Sequence, residues 1–138
     1  MTKRFKRNIK NLKMLKKGDA IYYKKSSKPQ DIFLEIMFRG MPYEVKKGGK
    51  RVSSDFLEIL SSNFLKKIFA GTWPDFKVNG ETLYPLYNFP YKEIIAFLNM
   101  KGIVFKSNFK QEGFLKPIIK KRPGALFSLS KWWYDRNI

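Results

Sequence analysis

The stretch SSDFLEILSSNFLKKIF, residues 53–69, is the strongest guide to the fold because it predicts the clearest helix in the chain. Its apolar side chains recur every three or four residues and form one stripe, which is typical of a helix that packs on a core. These side chains are Phe56, Leu57, Leu60, Phe64, Leu65 and Ile68. Ser54 or Asp55 can cap the helix, and Glu58 stands three residues after Asp55, as in a capping box. Gly71 is expected to end the helix.

The segments around this helix predict a second helix and several short strands. The second helix is expected over residues 90–101, with Pro90 in its first turn and Gly102 after its end. Asn79-Gly80 lies between two short apolar runs and predicts a β-hairpin over residues 75–84. Other runs rich in β-branched and aromatic residues predict strands at 20–23, 32–38, 41–45, 103–109, 114–119 and 126–129. We therefore expect an α+β fold, with a small antiparallel sheet and two main helices.

A basic N-terminal arm is predicted over residues 1–18, followed by a single RNA-binding domain over residues 19–138. The arm, MTKRFKRNIKNLKMLKKG, contains eight Lys or Arg residues and no acid. Phe5, Ile9 and Leu12 keep a spacing of three or four, which indicates a short amphipathic helix or an extended arm. A disordered tail is the alternative when RNA is absent. On RNA the segment would order, because phosphates neutralise its self-repulsion.

The net charge is the strongest indication of function. Twenty-nine Lys and Arg residues face 11 Asp and Glu residues in a chain of 138, which gives a net charge of +18. A net charge of magnitude ~2–8 already keeps a small domain soluble, so this excess indicates a polyanionic partner. Nucleic acid is the commonest such partner. A surface that is merely soluble and an anionic membrane surface are the two alternatives.

The residues that are absent exclude several kinds of chemistry. The chain has no Cys and no His, which excludes the usual zinc ligands, thiol nucleophiles and His-dependent triads. Its acids are scattered, and it has no phosphate-binding loop, dinucleotide fingerprint or nucleophile elbow. We therefore expect no enzyme activity, no metal, no cofactor and no small-molecule substrate. No apolar run approaches the ~18 residues that span a bilayer, so we expect no membrane partner.

Four basic segments are the candidate RNA-binding sites: the arm, the loop KKGGKR (46–51), the turn KKRPG (120–124) and KWWY (131–134). Lys and Arg would contact phosphates, and an aromatic side chain beside them can stack on an unpaired base. The adjacent glycines of the loop would let its backbone approach a phosphate, although a plain hairpin turn is the alternative. The candidate residues are Lys3, Arg4, Lys6, Arg7, Lys10, Lys13, Lys16, Lys17, Lys46, Lys47, Lys50, Arg51, Lys120, Lys121, Arg122, Lys131 and Trp132.

Three segments have the spacing of a known family: the helix at 53–69, IIAFLNMKGIV (94–104) after Pro90-Tyr91, and KPIIKKRPGALFSL (116–129). Together they resemble the N-terminal half of the ribosomal small-subunit protein eight family. The last segment is similar to that family's strand, basic Pro-Gly loop and next strand. The family's C-terminal half, with its Ser-Thr-Ser signature, has no counterpart here. LKKGDAIYY (15–23) and WPDFKVNGETL (73–83) instead resemble the C-terminal end of small-subunit protein four.

These resemblances imply a structural component of a small ribosomal subunit. Its partners would be ribosomal RNA and neighbouring ribosomal proteins. The chain is rich in Lys, Phe, Ile, Tyr and Asn and poor in Ala, as expected of an A+T-rich gene, which an organellar genome, a parasite or a phage would all fit. We expect a mitochondrial ribosome, with a cytoplasmic location as the alternative. One alternative is a free nucleic-acid-binding factor of phage or plasmid type. Another is a peripheral membrane protein that binds through its basic N-terminal segment.

Overall fold

The computed structural model of the chain describes residues 2–12, 15–16, 18–71, 82–106, 109, 115–122 and 124–137, without the side chains of residues 11, 12 and 132–137. The described part forms six helices and a four-stranded sheet. In chain order the elements are α1 (Thr2–Leu12), β1 (Ala20–Tyr22), α2 (Pro29–Phe38), β2 (Glu44–Val45), β3 (Lys50–Val52), α3 (Leu57–Phe69), β4 (Thr82–Leu83), α4 (Tyr91–Met100), α5 (Leu115–Lys121) and α6 (Ala125–Asn137).

The sheet has the strand order β2-β1-β3-β4, and every neighbouring pair is parallel. The fold mixes helices and a sheet as expected, but the predicted antiparallel sheet is wrong. The main cause is the segment 32–38, which was predicted as a strand and lies in helix α2. A continuous apolar run of this length fits a buried strand and a buried helix equally well. A helix between two strands returns the chain to the starting edge, so that the next strand runs parallel to the first.

Residues 46–49 make a short crossover between two strands that do not touch. Val45 and Lys50 both pair with Ile21, on opposite sides of β1, so the connecting chain passes over β1. A Cβ atom on Gly49 would lie 2.7 Å from the backbone N and C atoms of Ile21. The alternative of a plain hairpin turn is therefore wrong here, and the backbone of β1 itself explains why residue 49 is a glycine.

Gly49→Ala is expected to destabilise the protein by about 3 kcal/mol, at the upper end for overpacking, because the colliding atoms belong to a central strand and cannot move aside. Urea denaturation measures this loss. Gly124→Ala is the matched control, since its added Cβ meets nothing within 4 Å and its φ is not positive; its cost should stay below about 1 kcal/mol. Equal costs for the two variants would show that the crossover does not press on β1.

The main hydrophobic core lies between the inner face of the sheet and helices α1, α2 and α4. Helix α1 is folded onto this core: Phe5 and Ile9 are buried, and the Phe5 ring meets Phe38 edge-on at 5.0 Å. The buried Asn8 side chain donates to the Pro85 carbonyl oxygen and to Asn88 Oδ1, each at 2.7 Å. The spacing of the N-terminal apolar residues left a helix and an extended arm open, and the structure shows the helix, packed against the domain.

Hydrogen bonds join the start of helix α3 to the start of helix α4, and each helix has its first N–H group bonded in this way. The Leu57 N–H donates to the Phe89 carbonyl oxygen at 3.1 Å, and the Tyr91 N–H donates to the Glu58 carboxylate at 2.9 Å. Both helices were predicted, although α3 begins at Leu57 and not at residue 53, and Gly102 ends α4 with a positive φ as expected. The predicted capping box is wrong, because the N-cap is Phe56 and no side chain caps it. Glu58 instead accepts the first N–H group of the neighbouring helix α4.

The C-terminal part is helical where strands were predicted. Residues 114–119 and 126–129 fall largely in α5 and α6, and residues 103–106 and 109 form no strand. Leu115, with Ile118 and Ile119, repeats at three and four residues, which suits a helix packed on one side. Leu115 and Leu126 pack with Leu57 in a second, smaller core. The predicted hairpin at 75–84 lies mostly outside the described residues, and its described part, β4, pairs in parallel with β3.

Candidate nucleic-acid interface

The exposed face of α1 presents four cations in one line. We call these residues the cationic stripe: Lys3, Lys6, Arg7 and Lys10, all exposed. Their positions i, i+3, i+4 and i+7 place them on one side of a helix, and the rise per residue makes the stripe roughly 10 Å long. The opposite side buries Phe5 and Ile9. None of the four forms an ion pair with any residue that the structure describes.

Arg4 differs from the stripe because the protein itself binds its side chain. Its Nη1 atom donates to Glu93 Oε2 on α4, and its guanidinium lies 5.0 Å from the centre of the Phe89 ring. These contacts hold α1 against α4. A phosphate would have to compete with Glu93 for this guanidinium. Arg4 therefore helps to hold the stripe in position and is not counted as a member of it.

One of the predicted loop cations, Lys50, lies with Lys16 around Asp19. The Lys16 backbone N–H donates to Asp19 Oδ2 at 2.7 Å, and Lys50 Nζ lies 3.4 Å from the same oxygen. The Lys16 N–H, and secondly the Lys50 ammonium, lower the pKa of Asp19 below its ordinary value. Asp19 therefore stays ionised and offsets one cation, while Lys46 and Lys47 remain exposed.

Parallel pairing adds two lysines that sequence reasoning missed. Lys24 and Lys25 follow β1, Lys46 and Lys47 follow β2, and all four are exposed. The carboxyl ends of parallel neighbours meet at the same edge of a sheet, which is where ligands of such sheets commonly bind. The 3.9 Å pair between Lys46 and Glu44 is exposed and contributes little. Lys24 and Lys25 could have been found only from the direction of the strands, and the sheet was wrongly predicted to be antiparallel.

Tyr22 is the second feature that sequence reasoning missed. It is exposed on β1 and is the direct lateral partner of Arg51 on β3, which is also exposed. Laterally paired residues of a sheet point to the same face, about 4.8 Å apart. The alternation of Ile21, Tyr22 and Tyr23 along the strand could have revealed Tyr22, because the buried residues on either side of it point to the core.

The C-terminal candidates lie on a different part of the molecule. Lys120, Lys121 and Arg122 are exposed around the end of α5, and Lys131 is exposed on α6. These two helices belong to the second core, whereas α1 and the sheet belong to the first. Lys13, Lys17 and the Trp132 side chain lie outside the described residues.

Two acids, Asp31 and Glu58, stabilise the fold through hydrogen bonds. Asp31 is buried and accepts hydrogen bonds from the Ser26 and Ser54 hydroxyls. Glu58 accepts the Tyr91 N–H, as described above. Within the described ranges, no three acidic side chains are grouped so that they could hold a metal ion.

Glu58→Gln is expected to be at least as stable as the native protein at about pH 7. Burial raises the pKa of Glu58 above its ordinary value of 4.5. An acid with a raised pKa in the folded state stabilises the fold when protonated, and this contribution is lost as pH rises through the folded pKa. The Gln amide oxygen still accepts the Tyr91 N–H and stays uncharged. Denaturant unfolding at about pH 4 and about pH 7 measures how much stability is lost between the two pH values, and this loss should be smaller for Glu58→Gln than for the native protein.

Glu58→Ala is the control for this prediction. It removes the carboxylate that accepts the Tyr91 N–H, and the loss of this hydrogen bond costs about 1–3 kcal/mol at both pH values. If Glu58→Gln lost as much stability as Glu58→Ala near about pH 7, the charge of Glu58 would be needed and burial would not dominate its pKa.

No helix within the described ranges is long and apolar enough to cross a bilayer. Comparison with models of known protein families and with curated proteins found no match to this chain.

Proposed function

We propose that the protein is a structural component of a small ribosomal subunit, in a mitochondrial ribosome, and that it binds ribosomal RNA through Lys and Arg contacts to phosphates. The observation that supports this proposal most is the cationic stripe. Its four side chains face solvent on a helix whose other side is anchored in the core, and they have no acidic partner among the described residues. A rigid line of unpaired cations suits a phosphate backbone.

The anchoring of α1 also favours RNA over a membrane surface. A helix that lies in a membrane interface inserts its apolar face between the lipids. In this protein Phe5 and Ile9 occupy the protein's own core, so the helix offers only its charged face. Contacts of Lys and Arg with phosphates position a protein on RNA without selecting a sequence, which suits a structural component of a ribosome.

The charge distribution supports this proposal more strongly than the family resemblance does. Helices α3 and α4 stand where the resemblance to small-subunit protein eight implies helices. Within 116–129, however, the described residues lie mostly in helices α5 and α6, where the resemblance implies strands. The exposed cations of α1 and of the sheet edge do not depend on that likeness.

Gradient sedimentation of tagged protein from mitochondrial lysate at low salt tests the proposal. We expect the protein in small-subunit or pre-ribosomal fractions, and we expect salt to release it, because each phosphate contact displaces counterions. Absence from those fractions would contradict a ribosomal role. A competition between structured RNA and duplex DNA then separates the two nucleic-acid functions: a clear preference for duplex DNA would favour a free nucleic-acid-binding factor.

A further inference from the structure

The sheet has one face in the core and one face that is open at Tyr22. Ile21, Tyr23, Val52 and Leu83 are buried members of the main core. The residues that alternate with them form a lateral row across three strands on the opposite face. This row is Tyr22 on β1, Arg51 on β3 and Thr82 on β4, joined by direct pairing in the register of the sheet.

Tyr22 is placed differently from the other tyrosines. Its side chain is 43% exposed, and it is the only exposed tyrosine among those whose side chains the structure describes. It stands on a central strand between β2 and β3, not in a loop. Its partner Arg51 is exposed about 4.8 Å away along the row, and Lys46 follows the neighbouring strand β2. An exposed aromatic ring thus has a cation towards each neighbouring strand, Arg51 on β3 and Lys46 directly after β2.

We infer that Tyr22 is a stacking platform for an unpaired base of the bound RNA, with Arg51 on the adjacent phosphate or against the same base. This inference rests on the proposed function and specifies the form of RNA that this surface takes. A base inside a duplex has both faces covered by its neighbours, whereas an unpaired base has a free face that an aromatic side chain can cover. The planar guanidinium of Arg51 can bind a phosphate through two hydrogen bonds or stack on the base.

Binding of two RNA probes tests the inference. One probe is an unstructured RNA of about twelve nucleotides and the other is a duplex of the same sequence. Tyr22→Ala is expected to lower affinity for the single strand about 5- to 150-fold, the equivalent of ~1–3 kcal/mol, and to leave the duplex within about twofold. The slope of affinity against salt should stay unchanged, because no charge is removed. Arg51→Gln should instead reduce that slope by about 0.7 on the single strand.

Three further variants separate stacking from a loss of structure. Tyr22→Phe keeps the ring and should retain single-strand affinity, while Tyr22→Leu keeps much of the bulk without an aromatic face and should lose affinity as Tyr22→Ala does. Val45→Ala removes a side chain of similar exposure, 44%, from the neighbouring strand and should change nothing. Full affinity of Tyr22→Leu or of Tyr22→Ala for the single strand would overturn the stacking role.

The outcome for the native protein distinguishes this inference from the proposed function. If the native protein bound neither RNA in a salt-dependent way, the proposed function would fail, and the stacking role with it. If the native protein bound both probes and lost affinity when the cationic stripe was neutralised, but Tyr22→Ala had no effect, only the stacking role would be overturned.

Discussion

Phe5→Ala is expected to destabilise the protein by about 3–5 kcal/mol, the cost of truncating a buried phenylalanine. The Phe5 side chain is 0% exposed and packs with the main core, edge-on to Phe38. Alanine is the best helix former, so the loss would come from the core and not from the helix itself. A domain of this size is stable by only about 5–15 kcal/mol, so the variant should unfold at a clearly lower denaturant concentration. Urea denaturation followed by circular dichroism measures the shift.

Phe127→Ala is the matched control, because Phe127 lies in α6 and is 43% exposed. Its cost should stay near about 1 kcal/mol. The comparison separates two views of the N-terminus, since a basic arm that folds only on RNA would tolerate the loss of Phe5 when RNA is absent. Equal stability of the two variants would show that α1 is not part of the core in solution.

The elements that the sequence predicted correctly are those whose apolar pattern has one clear period. α1, α3 and α4 repeat at three or four residues, and β1 is short and bounded by polar residues. Residues 32–38, which lie in α2, are apolar at every position except Glu35, so their pattern cannot tell a helix from a strand. This one error changed the direction of the sheet, because a helical connection makes parallel neighbours and a strand makes antiparallel ones.

The part of the candidate site that depends on a clear helical period was also predictable from the sequence. The stripe of Lys3, Lys6, Arg7 and Lys10 needs only a helix and its period, and both can be read from the sequence. The role of Arg4 could not be read from the sequence, because it depends on Glu93, which is 89 residues away along the chain. The grouping of Lys24 and Lys25 with Lys46 and Lys47 needed the strand direction. The role of Gly49 needed the path of the crossover over β1.

Neutralising the cationic stripe is expected to cause the largest loss of RNA affinity. The variant replaces Lys3, Lys6, Arg7 and Lys10 with Gln, which preserves helix propensity and leaves the buried face of α1 intact. Each lost phosphate contact reduces the slope of log affinity against log salt by about 0.7–0.9, so four contacts reduce it by about 3. Because these contributions vanish near 1 M salt, affinity at about 0.1 M should fall by up to about 10³-fold. Titrations with labelled structured RNA over a salt series measure both quantities.

A control with the same change in net charge decides whether the stripe or the overall charge binds RNA. Lys67, Lys92, Lys106 and Lys116 are exposed on four separate segments, and their replacement by Gln also removes four positive charges. A general attraction to a polyanion would make the two quadruple variants lose affinity equally. A docking surface on α1 predicts a loss below about tenfold for the scattered set and a nearly unchanged slope, because these four cations do not form one line that a phosphate backbone could follow. The arrangement of the cations, more than their number, would then determine how the protein binds its RNA.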